Sequence, residues 1–189
     1  MVKNYNEILY DNKIINTQNL ILRKFKKEDA ADVFEYSSDF EVLEFLPWDG
    51  YKSVEEAKED IISTYWSIPN YYAIELNSKI IGCIDINLKT EHEKAGFGYM
   101  INRKYWGKGY MTEALSAVLG ILFEKVELNR VESTHYAGNE ASGRVMIKCG
   151  MKFEGIGKQE EKIKGTFRDV LHYGITKEQW DGLKCEVHP

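Results

Sequence analysis

The chain has 189 residues, of which 43% are hydrophobic and 29% are charged, and its formal net charge is −5. This composition is typical of a soluble globular protein, and the length predicts one domain spanning residues 1–189. The acidic balance argues against a general nucleic-acid-binding surface, because such a surface needs a basic face.

The cysteine, histidine and N-terminal patterns exclude further classes of protein. Three cysteines are widely separated and the four histidines show no metal-ligand spacing, so we expect neither a disulfide framework nor a metal site. The N-terminal segment is polar, and no apolar run approaches the ~20 residues that span a bilayer. We therefore expect no signal peptide, no membrane association and a cytoplasmic location.

The first half of the chain alternates between strand and helix patterns. Ser53 is a predicted N-cap, and Glu56 completes a capping box ahead of an apolar face that includes Ile62. Asn77 and Ser78 form the predicted turn of a hairpin. The predicted elements are a strand at 19–25, helices at 26–39 and 53–68, and strands at 71–76, 79–89 and 94–102.

The second half carries stronger helix signals. Asn139 is a natural N-cap and Gly150 a natural C-terminal stop for a short helix between them. The segment 94–137 has the length of one strand–helix–strand crossover, so the order of elements predicts an α/β fold. The predicted elements are a helix at 110–125, a strand at 130–137, a helix at 139–150, a hairpin of strands at 152–163 and 166–175, and a terminal helix at 177–183.

Two glycines, Gly107 and Gly109, stand between the strand and the long helix. A strand that runs through glycines into a helix presents unpaired backbone N–H groups and the positive end of the helix dipole, which suit a phosphate. Arg103, Lys104 and Lys108 add local positive charge. The alternative is a plain glycine turn with solvated cations. The residues match neither the Walker pattern nor G-x-G-x-x-G.

This loop, "YWGKGYMTEA", resembles the pyrophosphate loop of the GNAT N-acetyltransferases, Gln/Arg-x-x-Gly-x-Gly/Ala, with Lys104 in place of the usual Gln or Arg. A second stretch, "NEASGRVMIKCGMKFEG" at 139–155, resembles a motif of the ribosomal-protein-alanine (RimJ/RimL-like) group of that family. The resemblance implies a GNAT fold over a core of about 19–176. That fold has a mixed, mostly antiparallel sheet of about 6–7 strands flanked by about 4–5 helices.

The resemblance implies acetyl-CoA as the acetyl donor, with CoA as product. It implies that Asn139 contacts the pantetheine arm, with simple N-capping as a compatible structural role. The backbone of three strand residues would line the pantetheine and acetyl group: Met100, Ile101 and Asn102. The residues that would surround the pyrophosphate are Lys104, Trp106, Gly107, Lys108, Gly109, Tyr110 and Met111.

Two catalytic residues are also implied by the resemblance. Ser142 matches the serine proposed to protonate the CoA thiolate, although such a serine often satisfies only the local helix backbone. Glu161 matches a proposed general base, the alternative being a solvated strand face. Strand alternation predicts that Glu160 points to the opposite face, although an assignment shifted to Glu160 stays open. Whether His135 or its neighbour Tyr136 faces the cleft is also left open.

The expected reaction is direct transfer of acetyl to a primary amine, most simply the N-terminal α-amine of a protein. A small-molecule amine, such as an amino acid, a polyamine or an aminoglycoside, is the alternative acceptor. A non-catalytic acyl-CoA-binding module is a third possibility, and a homo-oligomer is possible. Three aromatics are expected near the acceptor cleft, each with packing as its simpler role: Phe45, Trp48 and Tyr51.

Overall fold

The computed structural model describes residues 4–65 and 69–187. In these residues it has seven α-helices: α1 (Tyr5–Asp11), α2 (Ala30–Ser37), α3 (Phe40–Leu43), α4 (Val54–Asp60), α5 (Tyr110–Glu124), α6 (Glu140–Lys148) and α7 (Lys177–Val187). The eight strands are β1 (Ile14–Asn16), β2 (Ile21–Arg23), β3 (Tyr71–Leu76), β4 (Lys79–Lys89), β5 (Lys94–Ile101), β6 (Arg130–Tyr136), β7 (Lys152–Ile163) and β8 (Thr166–Thr176). None of the described helices combines the length and apolar character that a membrane crossing demands.

The eight strands form one sheet in the order β1-β2-β3-β4-β5-β6-β8-β7. Neighbouring strands are antiparallel except for β5 and β6, which are parallel and are connected through α5. This arrangement confirms the predicted α/β class with a mixed, mostly antiparallel sheet. The described chain has one or two more strands and two or three more helices than the sequence predicted.

The two faces of the sheet carry separate hydrophobic cores. On one face, hereafter the α5 face, the buried side chains of α1, α5 and α6 pack on the sheet, and α7 adds Trp180 and Leu183. On the opposite face, hereafter the α2 face, α2 and α4 pack over β3 and β4 through a smaller cluster. The side chains of α5 that point into the larger core include Leu115, Val118, Leu119 and Leu122, as their spacing predicts.

The parallel pair β5–β6 is short, and the two strands then separate. Their pairing covers three residue pairs and ends at Gly96 and Glu132, after which Ser133 Oγ donates to Phe97 O at 2.7 Å. Beyond that point β5 continues to Ile101 beside β4, and β6 continues beside β8. The sheet therefore opens a gap between the C-terminal ends of β5 and β6.

The local signals read from the sequence are present where they were expected. The Asn77-Ser78 turn has both residues at positive φ, 49° and 63°, as a tight hairpin turn requires. The Lys164-Gly165 turn has φ values of 45° and 84°. Ser53 caps α4 by accepting from Glu56 N at 3.1 Å, although the Glu56 carboxylate accepts from Lys52 N instead of from the cap residue.

Several elements differ from the sequence prediction. The strand expected at 19–25 covers only Ile21–Arg23, and the helix expected at 26–39 begins with a 3-10 turn. The helix expected at 53–68 ends at Asp60 and continues as a π turn, Ile61–Tyr65, while 66–68 lie outside the described residues. Ile62, predicted to lie on the apolar face, belongs to this π turn and is 51% exposed. Three elements, α1, α3 and β1, were not predicted, because they are too short to show a clear period.

Candidate active site

A pocket of about 670 Å³ lies where β5 and β6 separate, at the N-termini of α5 and α6. It passes from these helix ends to Met100, whose side chain packs with the core of the α2 face. The residues that line it are Glu41, Val42, Glu44, Phe45, Leu46, Tyr99, Met100, Ile101, Tyr105, Trp106, Gly107, Gly109, Tyr110, Met111, Thr112, Gly138, Asn139, Glu140, Ala141, Ser142, Arg144, Val145 and Lys148.

The glycine loop forms one wall of this pocket. Gly107 and Gly109 have φ values of 73° and 85°, and a Cβ built on either would find no atom within 4 Å. Glu113 N donates to Gly109 O at 3.0 Å, so the N–H groups of 110–112 precede the first hydrogen bond of α5. Open space, helix-start donors and the helix dipole together suit an anion. The loop therefore fits the pyrophosphate of acetyl-CoA.

The cations predicted to reinforce the loop are mostly engaged elsewhere. Arg103 pairs with Asp39 at 2.9 Å, and Lys104 pairs with Glu35 at 2.8 Å. The hydrogen bonds from Lys104, Lys79 and Asn102 lower the pKa of Glu35 to about 2. These pairs hold the loop to the α2 face, and Lys104 lies outside the pocket lining.

The two cations that line the pocket, Arg144 and Lys148, were not predicted from the sequence. Lys108 lies outside the lining, with its ammonium 5.3 Å from the centre of the Tyr105 ring. Arg144 and Lys148 line the pocket from α6, one helical turn apart on the same side. Their i, i+4 spacing in the helix capped by Asn139 was the signal that the sequence offered.

The backbone of β5 forms a second wall. Asn102 N donates to Ile81 O at 2.7 Å, so every second residue of β5 counted from Asn102 is hydrogen-bonded to β4. The residues between them, Tyr99 and Ile101, therefore direct their backbone groups away from β4 and toward the gap. The Trp106 indole donates to Ile101 O at 2.8 Å, so one of these backbone carbonyls already has a hydrogen-bond partner. Met100 and Ile101 line the pocket.

Asn102, by contrast, lies outside the pocket lining. It is 3% exposed, its side chain accepts from Lys104 N at 3.0 Å, and it donates to Glu35 at 3.1 Å. The structure therefore places Asn102 as a residue that shapes the turn before the glycine loop.

Ser142 lies at the first turn of α6 and is bonded to Tyr99 of β5. The two hydroxyl oxygens are 2.8 Å apart, and the Tyr99 hydroxyl also reaches Ser142 O at 2.8 Å. Burial raises the pKa of Tyr99, so its hydroxyl keeps its proton. Asn139 caps α6 by accepting from Ser142 N at 3.4 Å. Ser142 and Asn139 were predicted from the sequence, whereas Tyr99 was not. Its contact with Ser142 joins residues 43 positions apart, which leaves no local pattern.

The two glutamates of β7 share a face, contrary to the sequence prediction. Glu161 accepts from the Tyr136 hydroxyl, and Glu160 is 2.7 Å from His172 Nε2. Tyr136 and His172 both belong to the α2 face, since Thr134 is paired with His172. An irregularity between Gly157 and Glu161 breaks the alternation, and both carboxylates lie outside the pocket lining.

The structure also separates His135 from Tyr136. His135 is 5% exposed and stacks on Tyr173 under α6, on the α5 face. Tyr136 points to the α2 face, where burial and the neighbouring Glu161 raise the pKa of its hydroxyl. Of the two, Tyr136 is therefore the residue that lies on the same face of the sheet as the Met100 side chain.

The segment around α3 forms a further wall of the pocket, and the β7–β8 hairpin packs against that segment. Lys164, at the hairpin turn, donates to Leu43 O at 3.0 Å. Phe45 lines the pocket, lies under the guanidinium of Arg168, and would contact a Cβ on Gly138 at 3.2 Å. The other two predicted aromatics pack edge to face on each other at 4.9 Å, with Tyr51 buried, so their role is packing: Trp48 and Tyr51.

Comparison with known proteins agrees with this geometry. The profile of the family described as acetyltransferase (GNAT) domain matches residues 19–152. The uncharacterized N-acetyltransferase YoaA of Bacillus subtilis is 31% identical over 176 residues, covering 87% of this chain and 97% of YoaA. The ribosomal protein uS5-alanine N-acetyltransferase of Escherichia coli is 25% identical over 180 residues, covering 88% and 92%.

A solved GNAT-family acetyltransferase from Bacillus anthracis superposes with a TM-score of 0.80 at 29% identity, covering 87% of this chain and 99% of that one. The family profile spans both the glycine loop and the capped start of α6, the two segments that meet at the pocket. The chain therefore belongs to the GNAT family, as an N-acetyltransferase that uses acetyl-CoA as its acetyl donor.

Proposed function

We propose that this enzyme acetylates the N-terminal α-amine of a protein. The observation that carries the transfer chemistry is the hydrogen-bonded pair Ser142–Tyr99 in a pocket that joins the helix N-termini to the α2 face. The protein acceptor is supported by the E. coli relative, whose name describes acetylation of an alanine of a ribosomal protein. Such acceptors are made in the cytoplasm, where we place the enzyme.

Acetyl-CoA supplies the acetyl thioester when it is bound. The N–H groups at the start of α5 would bind its pyrophosphate, and Asn139 would contact the pantetheine arm. The backbone N–H groups of β5 that face the gap, at Tyr99 and Ile101, are placed to donate to the thioester carbonyl oxygen. Donors fixed in this way stabilise the charge that develops on that oxygen during attack.

Ser142 is the proposed proton donor to the departing sulfur. Its hydroxyl is 2.8 Å from the Tyr99 hydroxyl, which can return a proton to it. Because burial raises the pKa of Tyr99, this hydroxyl stays protonated at neutral pH. The pair can therefore deliver a proton to the sulfur without exposing the pocket to solvent.

The acceptor must lose a proton before it attacks. An α-amine with a pKa near ~8 is roughly one tenth neutral at pH 7, a cost of about 1.4 kcal/mol, whereas an amine near ~10.4 costs about 4.6 kcal/mol. Carboxylates on the acceptor side lower this cost by binding the ammonium and taking its proton. Glu161, bonded to Tyr136, stays the sequence-predicted candidate for that role.

A small-molecule amine is the second candidate acceptor. It is favoured by the contact between Lys164 and Leu43 O and by the Arg168 guanidinium over the Phe45 ring, which hold the β7–β8 hairpin against the α3 side of the pocket. Glu41 and Glu44 line the pocket on the α3 side and suit a cationic acceptor of either class.

The test is acetyl-CoA-dependent release of CoA thiol with two sets of acceptors. One set contains hexapeptides that begin with alanine or serine, and the other contains small amines, including a polyamine and an aminoglycoside. We expect turnover with the peptides and a rise in melting temperature with acetyl-CoA alone. Turnover with the small amines and none with peptides would reject the protein acceptor. No thermal shift at millimolar acetyl-CoA would contradict the pocket assignment.

A further inference from the structure

The α2 face of β5 has no side chain at two successive positions, Gly96 and Gly98. Glycine weakens a strand interior and often marks a place where a ligand approaches the backbone closely. Among the described residues, a Cβ on Gly96 would meet only Glu132 O within 4 Å, at 3.8 Å. A Cβ on Gly98 would lie 2.6 Å from Asp85 Oδ1. On this face, the backbone of β5 is therefore accessible at Gly96 and is covered at Gly98 by the Asp85 carboxylate.

Asp85 lies on β4 directly opposite Gly98, and it is partly buried. Within the described chain its carboxylate has no side-chain partner, and the neighbouring donors are the backbone N–H groups of Asp85 and Gly98. The comparable carboxylates Glu35 and Glu132 each contact two or more cations. A buried charge is costly unless it is paired, so a carboxylate left unpaired in the free protein points to a partner that arrives with the substrate.

Asp85 and Gly98 lie outside the pocket lining, beside the part of β5 that enters it. Met100 lines the pocket and follows Gly98 by two residues on the same face of β5, a separation of about 6.6 Å along the strand. Cys83, two residues before Asp85 on β4, is paired with Met100. One acceptor nitrogen placed between Asp85 and Met100 would therefore meet both the carboxylate and the pocket.

We propose that Asp85 receives the ammonium group of the acceptor on the α2 face and takes its proton, which rests on the acetyl transfer proposed above. The ammonium gives one proton to the Asp85 carboxylate. When acetyl-CoA is bound, the neutral nitrogen would form a C–N bond to the acetyl carbonyl carbon as the C–S bond breaks. Ser142 would give its proton to the departing sulfur, and the second proton lost by the nitrogen would restore the Ser142 hydroxyl. The products are the acetamide and CoA thiol, and Asp85 later releases its proton to solvent.

The surroundings of Asp85 suit this role. Tyr71 from β3 and Cys83 from β4 are titratable groups coupled to Asp85, while β5 presents Gly98. Asp60 from the end of α4 acts on Tyr71, and Tyr36 from α2 is hydrogen-bonded to Cys83. Burial raises the pKa of both Tyr71 and Cys83, which therefore stay neutral at pH 7. Burial likewise raises the pKa of Asp85, which brings it closer to the pH at which a base works best.

The test is the isosteric variant Asp85→Asn. We expect transfer to the alanine hexapeptide to fall at least 50-fold at pH 7, with acetyl-CoA affinity within twofold of wild type. The loss should shrink by pH 9, where more of the acceptor is already neutral. We also expect a higher melting temperature, because removal of an unpaired buried charge relieves a cost that a structural aspartate would not carry. This thermal readout needs no acceptor.

Two variants serve as controls. Asp181→Asn, which removes an exposed carboxylate paired with Lys177 on α7, should leave transfer and acetyl-CoA affinity unchanged. Glu161→Gln tests the competing assignment, and a loss of transfer larger than that of Asp85→Asn would assign the base to Glu161 and overturn the proposal. Transfer by Asp85→Asn within threefold of wild type, or a loss that is constant from pH 6 to 9 together with a lower melting temperature, would overturn the proposal. If wild type acetylates only a small amine, the peptide acceptor is wrong, and the same comparison is made with that amine.

Discussion

The pocket and the neighbouring α2 face, which are the proposed donor and acceptor ends of the site, are built from different chemistry. At the donor end, meaning residues 107–112 and 138–142, the contacts offered are backbone N–H groups, glycines and two helix starts. At the proposed acceptor end, meaning the α2 face around Gly98 and Tyr136 beyond the lining residue Met100, the groups are carboxylates and hydroxyls from β4, β6 and β7. A phosphate is recognised by fixed backbone geometry, whereas moving a proton requires titratable side chains. The donor end can therefore stay constant while the acceptor end changes with the substrate.

The largest effect is expected where the two ends meet, at Ser142. Replacement by alanine removes the proposed proton donor to the sulfur and leaves the Tyr99 hydroxyl bonded to Ser142 O. We expect kcat to fall by about 10²-fold, within the usual range for general acid catalysis, with little change in acetyl-CoA affinity. Steady-state kinetics measure both. The exposed Ser63→Ala is the control, and an unchanged kcat for Ser142→Ala would show that the pair Ser142–Tyr99 is structural.

The next effect tests whether the donor end binds through its backbone. Gly109→Val places a branched side chain at a φ of 85°, in space that is open in the free protein. We expect acetyl-CoA affinity to fall at least tenfold, about 1.4 kcal/mol, as measured by calorimetry. Gly120→Ala in the same helix should keep the affinity and stabilise the fold by about 1 kcal/mol, since its Cβ would be 3.8 Å from its nearest neighbour. Wild-type affinity in Gly109→Val would contradict the phosphate-loop assignment.

The smallest effect tests whether Lys104 anchors the loop instead of binding the ligand. Hydrogen bonds from Lys104, Lys79 and Asn102 lower the pKa of Glu35 to about 2. A depressed folded-state pKa gives stability that is complete above about pH 4.5, the ordinary value, and is lost as the pH falls toward 2. Glu35→Gln should lower the melting temperature at pH 7 by roughly 2–4 °C, about 1 kcal/mol.

The matching pH experiment sharpens this result. Between pH 5 and 3, thermal scans should show a smaller decline for Glu35→Gln than for wild type, because the variant has already lost the titrating contact. The exposed Glu178→Gln on α7 is the control and should decline in parallel with wild type. An unchanged melting temperature combined with a tenfold tighter acetyl-CoA affinity would mean that Lys104, once released from Glu35, acts on the ligand.

The same contrast explains what the sequence could predict. The glycine loop, the Asn139 cap, the two hairpin turns and the long helix α5 depend on residues within a few positions of one another, so their patterns were readable. Tyr99, Asp85 and the engagement of Lys104 with Glu35 depend on strand pairing and on contacts across 43 to 69 residues. No local pattern reports them.

The two β7 glutamates show a second reason why a prediction from sequence fails. Strand alternation predicted opposite faces for Glu160 and Glu161, and that prediction is wrong because of the irregularity between Gly157 and Glu161. Gln159 lies at φ 49° within it. A non-glycine residue at positive φ is uncommon, so the residue types gave no warning of the bend.

The short β5–β6 pairing has a mechanical consequence. In the described residues, three residue pairs and the Ser133 hydroxyl form the hydrogen-bonded seam between a five-strand block and a three-strand block of the sheet. The pocket lies along the open continuation of that seam, with α5 on one side of it and α6 on the other. A molecule held there contacts both blocks, so we expect the occupied enzyme to be a stiffer body than the empty one.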